Sequence, residues 1–122
     1  MKEKFNFRNL KCYQKGRALV GEIYKVAKYL PQEEKYALSD QLRRAAVSVT
    51  SNIAEGSGRQ SFKDQAHFIE LSYSSLMEVV SQLDVALDQN FIDNDTHNRL
   101  EELIEEEARI LSGYRSSLLK QL

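Results

Sequence analysis

Residues 41–59 read QLRRAAVSVTSNIAEGSGR, and this stretch decides the fold. Its apolar residues recur at steps of three and four, at Leu42, Ala45, Val49 and Ile53, which is the spacing of one face of an α-helix. A polar stripe with the same spacing runs beside them. Most of the side chains are small, and small residues let a neighbouring helix approach closely. The stretch therefore predicts a helix inside a bundle, with its polar stripe facing another helix or subunit.

Three further amphipathic segments accompany this helix. We predict the first helix over residues 9–30, the second over residues 39–56, the third over residues 61–90 and a fourth after residue 93. A chain with one proline and five glycines favours long helices over a sheet. Short links between the segments predict an all-α, up-down-up-down antiparallel four-helix bundle, with residues 1–122 forming a single domain.

Local signals mark the helix ends. Ser39 is predicted to cap the start of the second helix, and Gly56 to end that helix in the left-handed conformation. Ser61, followed by an acidic residue three positions later, resembles a capping box for the third helix. Asp93 or Asp95 is expected to cap the fourth.

The first helix carries two apolar lines. They consist of Tyr13, Gly16, Val20, Ile23, Ala27 and Leu30, and of Cys12, Leu19 and Val26. If one line served the core of the chain, a monomer would leave the other exposed to water, so the two lines predict a homo-oligomer. The expected seam of the fourth helix is interrupted by the charged Glu107, and its members are Leu100, Leu103, Glu107, Ile110, Tyr114 and Leu118. A charged group there must reach water or find a partner, because burial of a charge is strongly unfavourable.

Length and composition indicate one compact soluble domain, since the chain has 122 residues and 42% of them are hydrophobic. Cys12 is the only cysteine, which excludes an intramolecular disulfide and fits a reducing compartment. The N-terminus has no apolar stretch of signal-peptide length, and no segment approaches the roughly 20 apolar residues that span a bilayer. We therefore predict a cytoplasmic protein without a membrane partner.

The net charge of −1 conceals an imbalance along the chain. Residues 1–60 contain twelve Lys/Arg and six Asp/Glu, a net of +6, whereas residues 61–122 contain five and twelve, a net of −7. In an antiparallel bundle the basic helices would lie beside acidic ones, so one interpretation is mutual neutralisation. The other is a basic face for nucleic acid. For that face we predict mainly phosphate contacts with weak sequence specificity, made by Lys11, Lys15, Arg43 and Arg59.

A second set of polar residues has helical spacing. On the second helix, Arg44, Ser48 and Asn52 advance four residues at a time, and on the third helix Ser75 and Glu78 lie three apart. We predict that the five form a structural polar seam between these helices, because buried polar groups need partners. A ligand site is the alternative interpretation.

Catalytic chemistry finds little support. His67 and His97 lack the spacing of a metal-binding pair, and no glycine-framed serine nucleophile accompanies them. Residues 57–59, Ser-Gly-Arg before a helix, could hold an anion but lack the lysine and the length of a phosphate-binding loop. We predict no catalytic residue, metal ion, cofactor or small-molecule substrate, and hence a protein that is not an enzyme.

The opening stretch also resembles a family signature. Residues 41–48, followed by residues 52–56 and 58–59, resemble the signature of the small four-helix proteins encoded in 23S ribosomal RNA intervening sequences. Residues 7–11 look like the opening of that family. The family's third helix has an alanine-any-glycine-serine-any-any-glutamate pattern, and residues 72–78 match its serine and glutamate but carry serines at the alanine and glycine positions.

The resemblance extends to the accessory proteins of diversity-generating retroelements, which assemble as pentameric barrels and work with a reverse transcriptase and nucleic acid. It implies a homopentamer that binds structured RNA or an RNA-associated protein. The alternative function is a protein-interaction scaffold that recruits a partner enzyme without touching nucleic acid.

Overall fold

The computed structural model of the protein describes residues 5–122. Predictions that concern residues 1–4, including the start of the domain, lie outside the described residues. Within the described range the chain is all-α, as the sequence predicts, with no strand. Short 3-10 turns at Asn6–Asn9 and Gln32–Glu34 precede the first two helices. The helices are α1 (Lys11–Tyr29), α2 (Leu38–Ser57), α3 (Phe62–Asp88) and α4 (Asn94–Leu119).

Each helix packs against the next one in the chain, and α4 also packs against α1. The direction of packing is visible in individual contacts. Ser72 of α3 bonds to Val49 of α2, and Ser75, further along α3, bonds to the earlier residue Ser48. These two helices are therefore antiparallel. Helices α1 and α4 are antiparallel too, because Lys15 of α1 pairs with Glu106, and Glu22, further along α1, pairs with the earlier residue Arg99.

The two apolar lines of α1 lie in one core. Cys12, Leu19 and Val26 of one line are buried together with Ile23 and Ala27 of the other. The expectation that the second line is left for neighbouring chains is wrong, because the two lines are adjacent on the helix and form a single wide stripe. An oligomer needs other surfaces than these.

The seam predicted for α4 is partly right, because its members Leu100, Glu107 and Leu118 are buried. Ile104 and Leu111 are buried, whereas Leu103 is exposed and Ile110 only partly covered. A helix advances about 100° per residue, so neighbouring apolar positions compete for the same core-facing direction. Within residues 5–122, no helix combines the length and the apolar character needed to cross a membrane.

Two of the predicted helix caps are confirmed. Ser61 accepts a hydrogen bond from the backbone N–H of Asp64 at 3.0 Å, and Asp93 accepts one from the N–H of Thr96 at 2.8 Å. Both side chains satisfy a backbone donor that has no partner within its helix. These ends are set by residues three apart, which is why the sequence alone locates them.

The two predicted ends of α2 are wrong. Ser39 lies inside the helix, where its hydroxyl is buried and donates to the carbonyl of Ala27 at 3.1 Å. Gly56 is also inside the helix, and no glycine of residues 5–122 has a positive φ. A Cβ atom on Gly56 would lie 2.8 Å from the Cβ of Phe68. Gly56 therefore permits the close approach of α3 rather than a left-handed turn.

Candidate functional site

Charge is divided between the two ends of the bundle. The positive end, where α1 and α3 begin and α2 and α4 end, comprises residues 5–20, 48–74 and 105–122 and has nine Lys/Arg against six Asp/Glu, a net of +3. The negative end comprises residues 21–47 and 75–104. It has six Lys/Arg against eleven Asp/Glu, a net charge of −5. Antiparallel packing thus mixes the basic and acidic halves of the sequence across the bundle but leaves a separation along it.

Three of the four predicted phosphate-binding residues lie at the positive end. Lys11 and Lys15 are exposed one turn apart on α1, and Arg59 is exposed just after α2. Arg43 belongs to the negative end, roughly 24 Å from Arg59 along α2 at about 1.5 Å of rise per residue. The structure therefore separates Arg43 from the other three.

The four residues also differ in their partners. Arg59 lies over the ring of Phe68, with the guanidinium carbon 4.6 Å from the ring centroid, and makes no ion pair within residues 5–122. Such stacking holds the guanidinium while leaving its N–H groups available. Arg43 is engaged instead, donating to the carbonyl of Lys35 at 3.3 Å and lying 3.9 Å from the Asp40 carboxylate.

Lys15 is the paired member of the positive end. Its ammonium lies 3.0 Å from Glu106 of α4. The hydrogen bond and the charge of Lys15 hold the pKa of Glu106 below its usual range. Both side chains are substantially exposed, and exposed ion pairs contribute little to stability. Lys11, in contrast, makes no ion pair within the described part of the chain.

Three of the five residues of the predicted polar seam, Ser48, Asn52 and Ser75, are joined by hydrogen bonds. Ser75 donates to the hydroxyl of Ser48 at 2.9 Å, and Asn52 donates to the carbonyl and hydroxyl of Ser48 at 2.9 and 3.1 Å. Arg44 and Glu78 line a groove of about 490 Å³ beside this group but do not join it. Arg44 is paired with its own helix, at 3.0 Å from Asp40, and Glu78 is exposed.

The most buried link between α2 and α3 is a hydrogen bond that the sequence does not predict. Ser72 is fully buried, and its hydroxyl donates to the carbonyl of Val49 at 2.7 Å. A backbone carbonyl has no sequence signal, so the hydrogen bond appears only when the two helices are placed side by side.

Glu107 is buried without a partner. The residue is 1% exposed, and neither of its carboxyl oxygens has a hydrogen-bond partner within residues 5–122. Gly16 makes room for it, since a Cβ there would lie 2.8 Å from Glu107 Oε2. Burial, reinforced by the charge of Glu106 and opposed by that of Lys15, raises the pKa of Glu107 to about 8. The side chain is closed off from bulk water and has no partner within residues 5–122, and the protonated form is therefore favoured.

Cys12 is a packing residue next to this carboxyl. It is 2% exposed, and burial together with the charge of Glu107 raises the pKa of its thiol to about 12. A thiol held in its protonated form is a poor nucleophile and a poor metal ligand.

Metal-binding residue types meet elsewhere, at the negative end. Within the part of the chain that the structure describes, three such side chains come together, those of Asp84, His97 and Glu101. The spacing of His97 and Glu101 is visible in the sequence, but their proximity to Asp84 depends on how α3 and α4 pack.

Residues 8–113 match a family model described as 23S rRNA-intervening sequence protein. In structure, the chain is similar to a protein with unknown function from the S23 ribosomal protein family of Bacteroides thetaiotaomicron, whose crystal structure was determined at 1.70 Å. The TM-score is 0.79 and the sequence identity 20%, over 85% of this chain and 97% of the other. At this identity the likeness shows a shared fold alone. No match is found among curated proteins.

Proposed function

Since the chain belongs to the 23S rRNA-intervening sequence protein family, we propose that it is a non-enzymatic, cytoplasmic protein whose positive end binds the phosphates of structured RNA. The family name supports an RNA-related role. The observation that carries the proposal is the separation of charge along the bundle, a net of +3 at one end against −5 at the other. A chain with a net charge of −1 can still present a local field that attracts a polyanion.

Lys11, Lys15 and Arg59 are the residues we assign to phosphate contacts. Lys11 and Arg59 are exposed and have no ion-pair partner within residues 5–122, so an RNA phosphate does not have to displace a bound carboxylate. Lys15 has to exchange Glu106 for a phosphate, which costs little for an exposed pair. Arg43 is left out of this surface because it lies at the negative end and is engaged by Asp40.

We further propose that the up-down-up-down bundle assembles as a homopentameric ring. The resemblance to the accessory proteins of diversity-generating retroelements supports this assembly. A ring of parallel bundles would place five positive ends on one rim, and several weak phosphate contacts on one particle reinforce each other. Light scattering that returned only the 14.1 kDa chain mass at micromolar concentration would refute the ring.

The second candidate function is a protein-interaction scaffold that recruits an enzyme or an RNA-associated protein. It is favoured by the negative end, whose excess of carboxylates suits a basic protein surface. The two functions use opposite ends of the bundle and can be separated by substitution.

The experiment is a titration of labelled structured RNA at low and moderate salt. The proteins compared are the wild type, the triple variant Lys11→Ala, Lys15→Ala, Arg59→Ala, and the control Arg43→Ala. We expect wild-type affinity to fall steeply with salt, because several phosphate contacts release counterions together. The triple variant should lose most of the low-salt binding, whereas the control, which removes a charge from the other end, should keep it.

Each variant is first checked for helix content and for the oligomeric order of the wild type. If the wild type does not bind RNA at low salt, or the triple variant binds as well as the control, phosphate binding at the positive end is wrong. The scaffold function then becomes the better conclusion.

A further inference from the structure

We propose that Asp84, His97 and Glu101 bind a divalent transition-metal ion of the zinc class at the negative end of the bundle. One ligand atom from each residue lies within 4.8 Å of those of the other two. His97 and Glu101 are four residues apart on α4, so they project from the same face one turn apart, and Asp84 reaches them from α3. The site would join α3 and α4 close to the turn between them.

The imidazole of His97 is already positioned for such a site. Its Nε2 lies 2.8 Å from Asp84 Oδ1, and only 12% of its side chain is exposed. A zinc ion sits about 2.0–2.2 Å from nitrogen and oxygen ligands, which places tetrahedral ligand atoms about 3.3–3.6 Å apart. Asp84, whose side chain is 58% exposed, can make this adjustment by rotating. The ion would bind the lone pair of Nε2 on the neutral imidazole, with the ring proton on Nδ1, and any further proton on the ring would be released to water.

The donor set selects the class of ion. One imidazole nitrogen and two carboxylates suit Zn²⁺, Co²⁺ and their neighbours, whereas Mg²⁺ and Ca²⁺ prefer oxygen ligands alone. Three protein ligands leave a fourth position for water. The net charge of −5 at this end, which includes the two carboxylate ligands, favours a cation. The nearest cation along α4, Arg99, is paired with Glu22 of α1 and does not compete for the ligands.

Cys12 does not offer a rival site in the folded chain. It lies at the positive end, is 2% exposed, and burial keeps its thiol protonated by raising its pKa to about 12. His67, on α3 at the positive end, belongs to no group of three metal-binding residue types within residues 5–122. It therefore serves as a matched control for the loss of one histidine.

The test uses the full chain after removal of metal by a chelator. Zn²⁺ binding is measured by calorimetry, and Co²⁺ binding by the visible absorption of the bound ion. The variants His97→Ala and Glu101→Gln remove ligands, while His67→Ala and Glu102→Gln remove a histidine and a neighbouring carboxylate outside the cluster. We expect one ion per chain in the wild type and both controls, a rise in melting temperature on zinc addition, and binding at least about tenfold weaker in both ligand variants.

Glu101→Gln preserves the shape of the residue, so it keeps the proposal testable if His97→Ala disturbs folding. Absence of zinc binding to the wild type at submillimolar concentration would overturn the site. Equal weakening by Glu101→Gln and Glu102→Gln, or binding of Mg²⁺ as tight as that of Zn²⁺, would also overturn it, because both results describe diffuse attraction of cations to an acidic surface.

Discussion

Replacing Glu107 by glutamine should remove most of the dependence of the bundle's stability on pH between about 4.5 and 8. The carboxyl is buried without a hydrogen-bond partner within residues 5–122. Burial, followed by the charge of Glu106, raises its pKa from the ordinary 4.5 to about 8. The folded chain therefore retains a proton that the unfolded chain releases. The stability linked to that proton is fully present below pH 4.5 and is lost as the pH rises through about 8.

The size of the effect follows from the separation of the two pKa values. Each unit of separation corresponds to about 1.4 kcal/mol of unfolding free energy. A separation from 4.5 to about 8 therefore sets a ceiling of about 5 kcal/mol. We expect about 2–3 kcal/mol, because water entry and movement of Lys15 toward the carboxylate reduce the cost of the buried charge. In a chain of this length that loss lowers the melting temperature by about 8–12 °C.

The assay is urea unfolding of the wild type and Glu107→Gln, followed by circular dichroism at a series of pH values and at one protein concentration. Glutamine has nearly the shape of the protonated carboxyl but cannot ionise. Its pH-independent cost adds only a constant offset to the difference between the two curves of stability against pH, and the titration of groups that do not interact with Glu107 cancels in that difference. That difference should favour glutamine increasingly as the pH rises. Parallel curves would show that burial does not hold the carboxyl protonated in the folded chain.

Two further predictions concern the packing of the helices. Gly16→Ala should destabilise the chain by about 1–3 kcal/mol, because its Cβ would lie 2.8 Å from Oε2 of the enclosed Glu107 side chain and 3.1 Å from Thr50 Cγ2. Gly21→Ala is the matched control on the same helix, because its added Cβ would have no atom of another element within 4 Å. It should stabilise the chain by up to about 1 kcal/mol. Equal melting temperatures of the two variants would contradict the close approach at Gly16. Ser75→Ala should lower the free energy of unfolding in urea by about 1 kcal/mol, because the hydrogen bond to Ser48 of α2 is lost. Glu78 is exposed and has no hydrogen-bond partner within residues 5–122, so Glu78→Ala should change that free energy by less than about 0.5 kcal/mol. A larger loss of stability in Glu78→Ala than in Ser75→Ala would show that Glu78 belongs to the structural seam.

Part of the candidate site could be read from the sequence because it depends on spacing within one helix. The step of four between Ser48 and Asn52 is such a case, and the two residues are bonded in the structure. The pairing of Arg44 with Asp40, also four residues apart, was open to the same reasoning and was missed. Interactions between helices were harder to foresee. Glu78 has the right spacing to meet α2, yet its side chain remains on the exposed side of the groove.

The sequence by itself determined the presence of four helices and the starts of α3 and α4. A period of 3.6 residues selects helix over strand, and caps such as Ser61 and Asp93 act over three residues, so no distant part of the chain has to be known. Only the tertiary structure decided which residues share an end of the bundle. Helical periodicity leaves the rotation of each helix uncertain by about one residue, and the packing of side chains across the core resolves it. That packing places Glu107 of α4 beside Gly16 of α1 and puts Lys11 and Lys15 at the same end as Arg59, because these arrangements depend on contacts between helices distant in the sequence.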